Sequence, residues 1–421
     1  MDIVQIDGLT RKPLTPWQTF SSAPHRMMFF GGVIQGVAAL AWWMADLLGR
    51  FGGYYKPISW SLPGAPVHAF LMIYGFFPFF IFGFLFTTFP RWMNGKLVSR
   101  QSYIPTFLLM FSGVLIFYLG LLTARPLTII GAMLFSSGWG IGIFTLLYLL
   151  FTTNHPDKRH PVIVSAVVLA GWLGTITFLL WLITENVFFL TLSIVGGIWF
   201  FLLPTFLSVS HQMIPFFTSV VVEKFQFVRR FRVLNAMMAC FLAHGLLELA
   251  RLRSFLWIPD FILFLFALRL SWQWGPLQSF KNRLLAMLHI SFSWLVIALF
   301  LYFLQSFFLF ISDNQTFLFS LAPLHALVIG YFSGMVLGMA TRVTLGHSGR
   351  PLGADTVTWV LFLAFQTVAG SRILADILTN AGINGTFWYL IAGGIWLATF
   401  TPWALKYGPI YLKERADKNP G

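Results

Sequence analysis

Nine histidines stand in a chain of 421 residues that is 58% hydrophobic. Four of them, His68, His244, His289 and His325, fall within or at the edge of long apolar runs. An imidazole in hydrocarbon is costly unless something uses its nitrogens. Imidazole is also the commonest transition-metal ligand and the usual proximal ligand of haem iron. These four are therefore the candidate metal ligands. His25, His155, His160, His211 and His347 fall in or beside loops. His325 sits inside an apolar run rich in Gly and Met that ends in Thr341-Arg342, and His347 follows in a Gly-rich turn. A guanidinium pairs with carboxylates through a bidentate fork, so Arg342, and less so Arg350, would suit a haem propionate. Cys240 is the single cysteine. It excludes an intramolecular disulfide and a CxxCH attachment, so any haem would be a non-covalent haem b.

Other pairings follow from helical spacing. His244 precedes Glu248 by four residues, on one helical face. Two readings stand for it: a ligating imidazole oriented by a carboxylate, or a polar pair at a helix end. Met72 shares the His68 face and is a soft candidate ligand. Arg372 and Asp376, four apart, are expected to pair with each other. No GxGxxG, P-loop, GxSxG or HExxH occurs.

The elements that must position these residues are transmembrane helices. Charged residues make up only 10% of the chain, against roughly 25% in soluble domains. A span of the hydrocarbon needs roughly 20 apolar residues, whereas barrel strands need only about 10 with alternating polarity. Twelve such segments are expected, near 28–48, 66–89, 103–122, 127–150, 162–184, 187–207, 232–249, 254–271, 284–306, 316–341, 356–376 and 386–406. The fold class is an all-α polytopic membrane protein. It forms one integral-membrane domain over 1–421, with a 1–27 N-terminal segment and a 407–421 tail. No cleavable signal peptide is expected, and no strong internal repeat is evident.

Loop-borne Lys and Arg split 21 to 5 between the two sides. By the positive-inside bias both termini are cytoplasmic. This asymmetry accounts for the net charge of +14 and argues against nucleic-acid binding. The expected surroundings are a lipid bilayer, the inner membrane of a bacterial cell. Depth follows from about 1.5 Å of rise per residue. It puts His325 about 14 Å from the outer face, and His68 and His244 in the same outer half. His289 lies about 8 Å from the inner side. His289 and His325 could form an axial pair, or His289 could belong to another site.

Several blocks resemble the NnrS family, membrane proteins associated with haem, copper and nitric oxide stress. The most specific is His325-Ala326-Leu327, Gly330, Gly338, Thr341-Arg342-Val343 and Leu345-Gly346-His347-Ser348-Gly349-Arg350-Pro351. Leu288-His289 with Trp294 is similar to a second block. In a third, the family opens a helix with His-x-His-Glu-Met and closes it with Pro-x-Trp. Here His68, Met72, Gly75, Pro90 and Trp92 match, while Phe70 and Leu71 replace the second His and the Glu. His211-Gln212 stands where a fourth block usually has Gly-Arg, before Ile214-Pro215-Phe216-Phe217, with Pro215 read as a membrane exit turn. APHRMMFFGG at 23–32 loosely resembles the family's first-helix entry.

The resemblance implies haem at His325 and His289, with His347 and Arg342 as further cofactor contacts. It also implies a diatomic ligand such as nitric oxide. Copper at His68 and His244 is the weaker expectation, because two family ligands are missing. A secondary transporter and a cofactor-free membrane scaffold are the alternatives; a transporter usually shows repeats and midplane charge.

Overall fold

In hydrocarbon the backbone polar groups of an apolar run can pair only with one another, and a helix satisfies all of them within the segment. The protein is built this way throughout. The structure, a computed structural model, describes residues 14–226, 229–315 and 317–417. Residues 1–13 of the expected N-terminal segment and 418–421 of the tail lie outside them. The chain forms helices α1 (Pro24–Gly52), α2 (Gly64–Trp92), α3 (Arg100–Leu122), α4 (Arg125–Thr152), α5 (Arg159–Thr184) and α6 (Val187–Val221). It continues through α7 (Phe231–Leu249), α8 (Arg253–Gln273), α9 (Arg283–Ile311), α10 (Ala322–His347), α11 (Thr356–Asn380) and α12 (Thr386–Tyr407). No strand occurs among the described residues. The first eleven are long and apolar enough to cross a membrane. Helix α12 has the length, but its Trp, Tyr, Thr and Gly content lowers its hydropathy.

Both ends of the described residues lie at one end of the bundle. Leu14 N–H donates to Glu414, and Arg26 donates to the carbonyls of Tyr411 and Lys413 at 3.1 and 2.8 Å. We call this the terminal end and the other the far end.

Two boundary differences bear on the site histidines of α6 and α10. Helix α6 runs straight through Pro215 to Val221, so His211 sits inside a helix and not in an exit loop. Phe206, Ile214 and Phe217 keep one face of this stretch apolar and buried between the polar Ser, His and Gln side chains. Helix α10 begins at Ala322, later than expected, because the apolar residues just before it are in the loop. His325 therefore stands in the first turn at the far end.

Interior π-helical runs occupy Leu71–Phe76 in α2, Gly197–Leu202 in α6 and Ala326–Ser333 in α10. In α2 and α6 the run is followed at its second residue by a proline, Pro78 or Pro204. The missing proline N–H removes an i→i−4 bond and widens the turn. In α10 the Ser333 hydroxyl donates to the Val328 carbonyl five residues back, at 2.9 Å, and supports the wide turn instead. These three helices recur every fourth span and run in the same direction. They meet at a triad of rings, Phe77, Phe206 and Phe332, with centroids 5.7, 5.8 and 4.7 Å apart. A four-span recurrence is thus present that the sequence reading did not find.

Helices α3 and α4 pack through glycine. A Cβ on Gly131 would stand 2.6 Å from the Phe117 nitrogen, and one on Gly113 2.6 Å from the Phe135 nitrogen. Small residues let membrane helices approach this closely. Gly131→Ala gains up to about 1 kcal/mol of helix propensity. Its methyl group must still push two backbones apart, and overpacking costs about 1–3 kcal/mol. We expect Gly131→Ala to lower the thermal unfolding temperature in detergent. Gly370→Ala, where nothing lies within 4 Å, should leave it unchanged or raise it.

Candidate metal and cofactor sites

The far end holds the richest constellation. His68 follows Pro66-Val67 and precedes Ala69; His325 follows Pro323-Leu324 and precedes Ala326. Each opens one of the π-containing helices, and each is followed six residues later by a tyrosine, Tyr74 or Tyr331. The two tyrosines both hold α6: Tyr74 donates to the Ser193 carbonyl at 2.7 Å, and Tyr331 bonds the Ser210 hydroxyl at 2.9 Å. So the same Pro-x-His-Ala element is anchored in the same way twice.

The His68 ring stacks on Trp43 of α1, with centroids 4.3 Å apart and planes 10° from parallel. Its Nδ1 is buried and has no hydrogen-bond partner. The electrostatic neighbours of His68 are His325, Arg372 and Arg50. His325 is only 13% exposed, with its Nδ1 2.9 Å from the Leu321 carbonyl and 3.3 Å from the Asp376 carboxylate. Both neighbours are acceptors, so Nδ1 carries the proton and Nε2 presents a lone pair. Asp376 is fixed in turn by Arg372 at 2.5 Å, the expected pair, and Arg372 lies over Tyr389. A carboxylate behind an imidazole is how a ligating histidine is oriented and made more basic. His325 is thus mostly buried, with a polar support and within electrostatic range of a second intramembrane histidine.

His244 is a separate far-end site. Glu248 is 3.5 Å from its Nε2, as the spacing suggested, but the closer partner is Asp260 of α8, 2.6 Å from Nδ1. Asp260 is fully buried and accepts from Ser306 of α9 at 2.8 Å. Trp199 stacks on the imidazole at 3.4 Å. Asp260 is a carboxylate inside the expected 254–271 span, a signal that the sequence offered; its pairing with His244, from another helix, was not legible.

The remaining histidines gather toward the terminal end. His289 stands 3.1 Å from the Thr218 hydroxyl, near the start of α9. The structure does not bring it to His325, at the opposite end of the bundle. His347 is the last residue of α10, not a turn residue, and its ring lies 4.7 Å from that of His25. His160 and His211 share a 3.0 Å contact between ring nitrogens. Arg342 lies over the Phe217 ring at 3.8 Å. Among the described residues no three His, Cys, Asp or Glu side chains converge as a metal site.

No curated protein matches this chain. The family model described as NnrS protein matches residues 19–415. That span runs from the short helix before α1 to the last turn beyond α12 and takes in every histidine described above. The chain therefore belongs to the NnrS family.

Proposed function

We propose that the protein is a haem b protein of the bacterial inner membrane that handles nitric oxide, with His68 and His325 as the ligands of iron. The observation that carries this reading is the repeated Pro-x-His-Ala element, whose two imidazoles lie within electrostatic range of each other, His68 with an unpartnered ring nitrogen. His325 would present Nε2, with Asp376 holding the proton on Nδ1. His68 would supply a nitrogen that has no protein partner, and Trp43 fixes the plane of its ring. Arg372 and Arg50, paired with Asp376 and Asp46, are the guanidinium groups beside the site and would be the partners for propionates. They take the place expected for Arg342. When bound, haem would supply the iron at which a diatomic binds, and one of the two imidazoles would have to give way to it. The charge split of the loops puts the terminal end in the cytoplasm and this site toward the periplasm.

The test is the absorption spectrum and metal content of the detergent-purified protein. We expect a Soret band, with iron near one per chain and copper well below it. Copper takes several imidazole or sulfur ligands, and His68 and His244 sit in different clusters. Full copper occupancy without haem would overturn this reading. Absence of both metals, from cells grown with ample iron and copper, would point to a transporter or a scaffold.

A further inference from the structure

On one side of the ring triad, helices α2, α6 and α10, with Phe29 of α1, line a partly open cavity of about 60 Å³. Phe206 belongs to both the triad and the cavity wall. Ile81 and Leu85 of α2, Ile214 of α6, and Met335 and Val336 of α10 are among the other wall residues. It holds no histidine and lies apart from the His68–His325 cluster.

Its size and polarity select its occupant. The volume exceeds the roughly 10–15 Å³ one water needs, yet a buried water also needs 2–4 polar partners. The wall offers two hydroxyls, and both are engaged. Thr205 donates to the Phe201 carbonyl at 2.6 Å, and Ser210 pairs with Tyr331 at 2.9 Å. Apolar cavities of this kind stay dry and take up apolar atoms and molecules such as xenon. The wall is buried except at Val209, Met213 and Met339, which are half-buried and mark the side where it opens.

We infer that this chamber is a binding site for a small uncharged gas on the axis of the three central helices. The gas is held by dispersion contacts alone. This deepens the nitric-oxide reading by supplying a reservoir for an apolar diatomic. It stands on the cavity itself and not on haem.

Xenon tests it without chemistry at iron. In crystals of the full chain under xenon pressure, we expect an anomalous peak between Ile81, Ile214 and Val336. Val336→Phe, or Leu85→Phe should that variant fail to fold, should remove the peak while the Soret band is retained. No xenon in the wild-type chamber would overturn the inference. So would an ordered water, a lipid chain, or a soft metal ion on Met213, Met335 and Met339. The Soret band of the same sample reports separately on the haem assignment, so the two readings can fail independently.

Discussion

His325→Ala abolishes the Soret band of the purified protein, and His68→Ala does the same, while His289→Ala retains it. The expectation rests on where the ring nitrogens point. The Leu321 carbonyl and Asp376 occupy Nδ1 of His325, so Nε2 is free, and Nδ1 of His68 is buried without a partner. A buried polar group without a partner is destabilising by about 1–3 kcal/mol, which ligation would offset. His289 meets a hydroxyl at the other end of the bundle and lacks any second imidazole. Asp376→Asn should be intermediate: the ligand remains, but its carboxylate support is gone, a loss of about 10–100-fold in affinity for such partners. Titration of haem into the apoprotein reads all four variants. An unchanged Soret band in His68→Ala would remove His68 from the site. A lost band in His289→Ala, with the fold intact, would restore the pairing first suggested by the matching blocks around His289 and His325.

That pairing shows what the sequence could and could not reveal. The spans were legible because hydrocarbon demands long apolar runs, and such runs are hard to mistake. Their edges were less so. In α6 the polar Ser208, Ser210, His211 and Gln212 look like a loop, but they face other helices and the chain stays helical past them. The individual ligand candidates were legible too, since a histidine in an apolar run stands out. Their partners were not. His68 and His325 are 257 residues apart, and only packing brings them together. The shared Pro-x-His-Ala was visible in the primary structure. Its weight came from the recurrence of widened turns in α2, α6 and α10, which spacing and hydropathy do not encode.

Asp260 provides the sharpest stability test, because it is a carboxylate with no exposure in the middle of an apolar bundle. It shares a 2.6 Å hydrogen bond with His244 and accepts another from Ser306. Removing one member of a buried pair leaves the other uncompensated and costs about 3–5 kcal/mol, a large part of the roughly 5–15 kcal/mol that separates most folded proteins from unfolding. Asp260→Ala should therefore lower the unfolding temperature steeply or prevent purification. His244→Leu alone should also destabilise, since Asp260 would keep only Ser306. Replacing both by leucine removes the two desolvated groups together, and such exchanges are often neutral or stabilising. The double variant should recover most of the loss, giving a large coupling energy in the thermodynamic cycle. Additive losses would mean that the two groups do not act as a pair. A double variant that is as stable as wild type yet fails in cells challenged with nitric oxide would show that the pair is kept for work, not for holding α7, α8 and α9 together.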